Sequence, residues 1–244
     1  MPIHGDADIA SIASVIGHPA RGRMLDAMLG GRALPASELA EVAGVSASTA
    51  SAHLARLTGS GLVAVERHGR HRYHRLADAR VAEVIEGLAL LAPAREVRSL
   101  RHANRATAER AARSCYDHLA GAAGVAVADR LCALGALDRD DLTLRDPEPF
   151  AALGVDVAAH GRGRRPLTRS CLDWSERRPH LAGALGAALL AALLDAGWLA
   201  RRPAGRAVAV TPRGASGLDA ALGLDVATVA PQALEARPRL RRVA

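Results

Sequence analysis

The sequence contains no lysine, so all 32 of its basic residues are arginine, and its net charge at pH 7 is +7. Arginine suits bidentate contacts to phosphate and guanine. A complete absence of lysine is nevertheless better explained by a GC-rich genome than by selection for such contacts. The net positive charge still favours a polyanionic partner.

Cysteine and long apolar runs are also scarce. The three cysteines, Cys115, Cys132 and Cys171, are too few for a disulfide scaffold in 244 residues. No signal segment of charged, apolar and small residues opens the sequence, so we expect a protein of the reducing cytoplasm. The longest apolar run, residues 181–194, is shorter than the ~20 residues that cross a bilayer, which predicts a buried helix and no membrane partner.

Residues 37–76 begin with two short helical patterns joined by a tight turn. The first ends at Gly44, the residue type that best tolerates a left-handed turn. The second begins at Ser46, a good N-cap, and has Ala50 and Leu54 at helical spacing. This arrangement predicts a helix-turn-helix whose second helix enters the major groove of DNA.

A basic hairpin follows, where the apolar period changes from helical to alternating. Its turn is rich in arginine and histidine, and no acidic residue follows Glu66 in the hairpin. The pattern predicts a two-stranded wing suited to phosphate or minor-groove contact; the alternative is a solvated basic turn. The candidate DNA-binding residues are Ser46, Ser48, Thr49, Ser51, His53 and Arg56 on the second helix, and Arg67, His68, Arg70, His71 and Arg72 on the wing.

These motifs resemble the ArsR/SmtB family of winged-helix repressors. The resemblance is carried by the stretch from His18 to Leu25, by Glu38-Leu39-Ala40, and by the stretch from Ser51 to Leu57. The match covers about the first 90 residues, and the longer chain resembles long members of that family that carry an additional C-terminal domain. The resemblance implies a homodimer that binds a double-stranded operator with two half-sites and releases it when an effector binds. It also implies that the helix after the wing helps to form the dimer, although that helix could instead pack only within its own subunit.

The familiar metal sites of that family are missing. The Cys-x-Cys pair of its thiolate sensors is replaced by Ser37-Glu38-Leu39-Ala40-Glu41, and the helix after the wing, residues 78–91, contains no histidine. The effector therefore cannot be carried over from the resemblance.

Pro93 marks a boundary, which predicts a DNA-binding domain at residues 1–93 and an effector or dimerisation domain at residues 94–244. The second domain opens with a basic segment, residues 96–119, which we predict to be one long helix. His118-Leu119-Ala120-Gly121 then recurs 62 residues later as His180-Leu181-Ala182-Gly183. We interpret residues 115–157 and 171–226 as two repeated winged-helix-like units. The expected fold is mainly α with small β-hairpins (α+β).

Each repeat carries a cysteine, an aspartate and a histidine, which are metal-ligand types. Zinc or another transition metal suits this set, and Cys115 and His118, three residues apart, would lie on one helix face. The alternatives are structural roles in which the aspartates cap helices and the histidines bond to backbone carbonyls, a thiol switch, and a site for a small organic ligand. The candidate metal ligands are Cys115, Asp117, His118, Cys171, Asp173 and His180.

The same cysteines and histidines also permit a thiol-dependent enzyme with a cysteine nucleophile and a histidine base. Residues 161–165 lack the Lys-Ser/Thr ending of a phosphate loop, and no metalloprotease or dinucleotide motif is present. We therefore expect no enzyme, but a homodimeric, sequence-specific repressor modulated by an effector at its C-terminal domain. The alternative is a thiol-dependent enzyme or a metal-binding protein built on these residues.

Overall fold

The computed structural model describes residues 7–93, 99–161, 163, 165–203 and 205–234. The chain divides into two compact units, Met1–Ala89 and Leu90–Ala244. The boundary predicted after Pro93 falls beside residues 94–98, which lie outside the described residues. No helix in the described part of the chain is long and apolar enough to cross a membrane. The predicted mixture of helices and small antiparallel sheets is confirmed.

The first unit is a set of short helices with one small sheet. Its helices are α1 (Ile9–Ile16), α2 (Pro19–Met28), α3 (Ala36–Ala43), α4 (Ala47–Gly59) and α5 (Ala79–Leu91), and its strands are β1 (Leu34–Pro35), β2 (Val63–His68) and β3 (His71–Leu76). Met24 and Leu25 of α2, Leu39 of α3 and Leu57 of α4 are almost fully buried and form its centre. Burial of these apolar side chains fixes α4 on α2 and α3.

The turn between α3 and α4 has the predicted chemistry. Gly44 adopts a left-handed conformation with φ of 65°, and its N–H donates to the last carbonyls of α3. The Ser46 hydroxyl then accepts a hydrogen bond from the N–H of Thr49 at 3.2 Å and caps α4. The helix-turn-helix is therefore built by local capping signals at both ends of one short turn.

The wing differs from the prediction by one strand. β1 pairs antiparallel with β3, and β3 pairs with β2, so the sheet order is β1-β3-β2. Leu34 of β1 lies opposite the buried His74 of β3. β1 has two residues, which is too short to produce an alternating pattern in the sequence, so periodicity does not predict it.

The second unit contains hairpins and helices in alternation. Its helices are α6 (Leu100–Ala111), α7 (Gly121–Ala133), α8 (Glu148–Ala151), α9 (Val157–His160), α10 (Gly183–Asp195), α11 (Pro212–Leu222) and α12 (Val226–Val229), with a 3-10 helix at Pro231–Ala233. Its strands are β4 (Arg113–Cys115), β5 (His118–Ala120), β6 (Arg169–Leu172), β7 (Pro179–Ala182), β8 (Leu199–Arg201) and β9 (Val208–Val210).

The repeat seen in the sequence is visible in the order of these elements. A hairpin leads directly into a helix twice, as β4-β5-α7 and as β6-β7-α10. Each half ends in a short helix capped by an aspartate, Asp156 for α9 and Asp225 for α12. Between α10 and α12 the second half has the hairpin β8-β9. At the equivalent place, between α7 and α9, the first half has the isolated bridge Leu137–Leu144.

The two halves are packed crosswise. α7 packs against β7 of the other half, and α10 packs against β5. Gly121 and Gly183 open these helices with φ of 79° and 87°, and a Cβ at either would come within 3 Å of backbone atoms. Glycine is required there because the strand enters the helix at a left-handed turn under a neighbouring backbone. The crossing brings the hairpins β4-β5 and β6-β7 together in the interior of the unit.

The long helix predicted over residues 96–119 is wrong. Helix α6 ends at Ala111, and Ala112 is extended, with φ of −158°. The carbonyl of Ala112 accepts a hydrogen bond from the N–H of Val208, and Ser114 donates its N–H to Arg206. Pairing with a distant segment therefore overrides the helical preference of an alanine-rich stretch. Residues 96–98 of the prediction, including Arg98, lie outside the described residues.

Candidate functional site

The exposed face of α4 carries short polar side chains. Ser48, Thr49 and Ser51 are exposed near its first turn, and Arg56 is exposed further along. Ser46 is committed to the cap and also lies 3.0 Å from the hydroxyl of Ser48. Short hydroxyl-bearing side chains allow a helix to sink deeply into the major groove and to contact base edges.

His53, also predicted to contact DNA, is placed differently. It is half-buried, and its ring lies against that of His18, with centroids 4.4 Å apart. Arg21 places Nη1 3.5 Å from Nδ1 of His53. Burial, followed by the neighbouring His18 and Arg21, lowers the pKa of His53, which favours a neutral ring. His53 thus links the recognition helix to α2 inside the unit.

The wing presents a concentrated positive surface. Arg67 lies directly opposite Arg72, and His68 lies opposite His71. Arg70 occupies the turn after Gly69, which has φ of 60°. The five basic residues of this tip are all exposed: Arg67, His68, Arg70, His71 and Arg72.

The acidic residue of the wing does not neutralise the arginines of that tip. Glu66 forms an ion pair with Arg75, at the base of the hairpin, and its carboxylate also lies 3.8 Å from Nε2 of His68 in the tip. The hydrogen bond from Arg75 lowers the pKa of Glu66, with a smaller contribution from His68. In the described part of the chain, no carboxylate forms an ion pair with Arg67, Arg70 or Arg72. The three arginines of the tip therefore remain available for contact with a polyanion.

Four side chains of the second unit meet in its interior, and we call them the hairpin cluster: Cys115, His118, Cys171 and His180. Their ligand atoms all lie within 4.8 Å of one another. The two sulfur atoms are 4.0 Å apart, and the two imidazole rings stack with centroids 5.1 Å apart. Cys171 is half-buried and the other three are buried.

The prediction that Cys115 and His118 share a helix face is wrong, because both belong to a hairpin. Cys115 of β4 lies directly opposite His118 of β5. Tyr116, with φ of 57°, supplies the left-handed residue that reverses the chain. Cys171 of β6 lies opposite His180 of β7 in the same register, so both halves present one cysteine and one histidine side by side.

The helices pack closely onto these hairpins because glycine faces them. A Cβ at Gly186 of α10 would lie 2.5 Å from the carbonyl oxygen of Leu181 and 3.2 Å from the Cβ of His118. Gly124 of α7 has the equivalent position, with a Cβ 2.6 Å from the carbonyl oxygen of Leu119. Larger residues would push the helices away and open the cluster.

Asp117, a candidate ligand, lies beside the cluster and holds one of its histidines. Its carboxylate is 3.3 Å from Nδ1 of His118 and accepts a hydrogen bond from Nη2 of Arg165 at 2.9 Å. Burial opposes its ionisation, but the hydrogen bonds from His118 and Arg165 outweigh burial and lower the pKa of Asp117 to about 2. Burial also disfavours a charged His118, yet Asp117 and Cys171 together raise the pKa of that imidazole.

Asp173, the other candidate aspartate, lies outside the cluster and holds segments next to it in place. Its carboxylate accepts hydrogen bonds from Nη2 of Arg113 at 2.8 Å and from the N–H of Gly121 at 2.6 Å. It also accepts from the N–H and hydroxyl of Ser175 and from the N–H of Glu176. Burial raises the pKa of Asp173, but these partners, led by Arg113, hold it well below its usual range. These bonds close the turn between β6 and β7. Asp173 therefore does not cap a helix, which is one of the alternatives considered from the sequence.

Sequence patterns do not single out Arg113 or Arg165, which engage the two aspartates. Arg113 is fully buried and also lies over the ring of Trp174, with its guanidinium carbon 4.6 Å from the centroid. An arginine at the start of each hairpin, Arg113 and Arg169, is a signal that a comparison of the repeats could have found.

The cluster favours a thiolate. The neighbouring Cys115 thiol lowers the pKa of Cys171 most, and the imidazoles of His118 and His180 lower it further, against the opposing effect of burial. Cys132 lies elsewhere, with its sulfur 3.6 Å from the carbonyl oxygen of Asp138, and burial raises the pKa of its thiol. None of the three cysteines, all of which are described, forms a disulfide.

The helix-turn-helix region matches a family model, and most of the chain is similar to a transcriptional regulator. Residues 16–66 match the model of a helix-turn-helix domain. The chain is 41% identical over 211 residues to an uncharacterized HTH-type transcriptional regulator, YdfF, of Bacillus subtilis (strain 168); the alignment covers 85% of this chain and 93% of that protein.

Solved structures align with about a third of the chain. A homodimeric winged helix-turn-helix DNA-binding domain of Mycobacterium bovis, described as a possible ArsR-family regulator, is 26% identical; the match covers 36% of this chain and 89% of that one, with a TM-score of 0.32. The transcriptional repressor BigR from Xylella fastidiosa is 25% identical, with 36% and 89% covered and a TM-score of 0.33.

Proposed function

Because the chain belongs to the HTH-type transcriptional regulators, the family of its Bacillus subtilis relative, we propose that it is an ArsR-type repressor that binds its operator as a homodimer. An effector at the second unit modulates that binding. The observation that carries the proposal is the pairing of a polar, exposed recognition helix with a basic wing in the same unit. Its relatives are transcriptional regulators, and we propose no enzymatic activity.

Base reading is assigned to α4. Ser48, Thr49 and Ser51 lie exposed near its N-terminus, the end of a recognition helix that contacts base edges. Arg56, further along α4, is assigned to the DNA backbone. Ser46 caps α4, and His53 packs against His18 at the start of α2, so both residues hold α4 in position.

Phosphate contact is assigned to the wing. Like charges directly opposite each other on adjacent strands are destabilising, and Arg67 and Arg72 are so placed. Such a pair is best explained by a partner that supplies negative charge. A duplex, with its closely spaced phosphates, neutralises the whole tip at once.

The homodimer is supported by exposed apolar residues on α1 and α5. Val84, Leu88 and Leu91 lie at helical spacing on α5 and are 50%, 44% and 84% exposed. Ile9 of α1 is exposed as well. A face of this kind on a helix is normally covered, and a second copy of the chain covers it in a twofold dimer.

We assign effector binding and further dimer contacts to residues 94–244, built from two winged-helix-like units at about 115–157 and 171–226. The matched order of hairpin, helix and capped short helix in both halves supports this duplication. A core that both halves build together is suited to respond to a ligand by changing how the two halves pack.

The wing assignment is tested with Arg70→Ala and Arg72→Ala. We expect each variant to bind duplex DNA more weakly, and similarly for all sequences, because phosphate contacts carry no sequence information. The slope of log affinity against log salt should fall by about 0.9 for each phosphate that the variant no longer neutralises. Fluorescence anisotropy of a labelled random-sequence duplex at several salt concentrations measures both quantities.

The matched control is Arg80→Ala, since Arg80 is exposed, pairs with Asp78, and lies outside the wing. It should leave affinity and slope near those of the wild type. If Arg70→Ala and Arg72→Ala behave like Arg80→Ala, the wing does not contact phosphate and the proposed mode of binding is wrong.

A further inference from the structure

We propose that the hairpin cluster is a tetrahedral binding site for a zinc-class divalent ion, which ties the two halves of the second unit together. This inference goes beyond the proposed regulatory function and does not depend on it, because every ligand lies within the second unit. It also narrows the six candidate ligands of the sequence to two thiolates and two imidazoles.

The donor types and their spacing fit such an ion. Two cysteine sulfurs and two histidine nitrogens are a common tetrahedral set for zinc, which is borderline-soft. Two sulfurs each about 2.3 Å from zinc at the tetrahedral angle lie about 3.8 Å apart. The sulfurs of Cys115 and Cys171 are 4.0 Å apart, and all four ligand atoms lie within 4.8 Å of one another.

The unpartnered nitrogens of the cluster point independently to a ligand. Nε2 of His118 and both ring nitrogens of His180 are buried and form no well-aligned hydrogen bond with a described residue, and the group that the two rings approach is the sulfur of Cys171 inside the same cluster. Buried polar atoms normally have a partner, and an exception requires an explanation. A metal ion at the centre of the cluster would accept a nitrogen lone pair from each ring.

One imidazole is already oriented for this role. Nδ1 of His118 faces the carboxylate of Asp117 at 3.3 Å, and Arg165 holds that carboxylate in place. A metal-binding histidine commonly donates its other ring N–H to a carboxylate, which fixes the ring and its tautomer. Asp117 is therefore a positioning residue, and Nε2 of His118 is left for the ion.

The site is closed, since four protein ligands complete a tetrahedron and leave no open position. A closed site of this kind contributes to folding rather than to catalysis. Each half of the unit supplies one cysteine and one histidine from a matched hairpin, so the ion would bridge the repeat symmetrically.

The direct test is titration of the reduced, metal-free full-length protein with Co²⁺. Tetrahedral Co²⁺ with thiolate ligands gives intense visible ligand-field bands and a sulfur-to-metal charge-transfer band, which weakly bound or octahedral Co²⁺ does not. We expect these bands to saturate at one ion per chain and to disappear when Zn²⁺ is added. Absence of the bands in the wild-type protein overturns the proposal, and this result requires no variant.

Variants then locate the site. Cys171→Ser should weaken Zn²⁺ binding, measured against a competing chromophoric chelator, by at least about 100-fold, since even residues that only support a ligand cost about 10- to 100-fold. Cys132→Ser is the matched control, because Cys132 lies outside the cluster, and it should bind as the wild type does. Circular dichroism checks that both variants fold.

Two results contradict the assignment. Equal binding by Cys171→Ser and Cys132→Ser would place the ion elsewhere. Reduced protein that binds no ion but readily forms a Cys115–Cys171 disulfide in air would make the cluster a redox pair instead.

Discussion

At the scale of single residues, Asp173 and Arg113 hold the second unit together. Both side chains are fully buried, and they join the start of the first hairpin to the turn of the second. Asp173 also accepts the N–H of Gly121, where α7 begins. A buried ion pair contributes little net stability over an apolar pair, but removal of one partner leaves the other charge uncompensated.

We therefore predict that Asp173→Asn lowers the free energy of unfolding by about 3 kcal/mol or more. The matched control is Asp129→Asn, which breaks the exposed ion pair with Arg178 and should cost less than about 1 kcal/mol. Urea denaturation of metal-free protein measures both. Equal losses for the two variants would mean that the buried pair is not a support of the fold.

The residues of the hairpin cluster can be nominated from the sequence because each appears twice in matched repeats. The aspartates beside them are nominated by the same argument, but the structure engages them with arginines. Asp117 meets Arg165, and Asp173 meets Arg113, each from a distant point in the chain. The sequence does not show which arginine meets which aspartate, so a metal ligand and a supporting carboxylate cannot be distinguished from the sequence.

At the scale of elements, local signals decide what can be predicted. The helix-turn-helix depends on Gly44 and Ser46, which act within a few residues, and both perform the predicted roles. The sequence predicts the hairpin β4-β5 as part of a long helix because the residues near it are rich in alanine. Its extended conformation depends on pairing with Ala207 and neighbouring residues. Tertiary pairing therefore decides what propensity cannot.

We predict that charged substitutions on the exposed face of α5 weaken the dimer. The double variant Val84→Glu, Leu88→Glu should weaken self-association at least about 100-fold, because each dimer would lose the burial of four apolar side chains that are about half exposed in the monomer, at about 0.7 kcal/mol or more apiece. Sedimentation velocity over a range of protein concentrations measures the shift from dimer to monomer.

Val42→Glu is the matched control for that change. Val42 on α3 is 42% exposed, similar to the 44% of Leu88, and lies outside α5. It should leave the dimer intact. If the double variant sediments as the wild type does, α5 is not the dimer interface.

At the scale of the whole molecule, the chain joins a winged helix-turn-helix unit to a second unit that contains two similar hairpin-helix segments and a candidate metal site. The recognition of an HTH-type transcriptional regulator from the sequence is confirmed by a relative that aligns with 85% of the chain. Composition alone does not identify a transcriptional regulator, since a GC-rich genome explains the high arginine content more simply. The spacing of helix, turn, helix and basic wing identifies it.

We propose that this chain binds a specific DNA sequence as a symmetric dimer. Selection of bound duplexes from a random pool, followed by sequencing, tests this directly. We predict enrichment of two inverted half-sites whose centres lie about 10 base pairs, or a multiple of that, apart. A pool that shows no enriched sequence, or one single unrepeated site, after the same selection would contradict the claim.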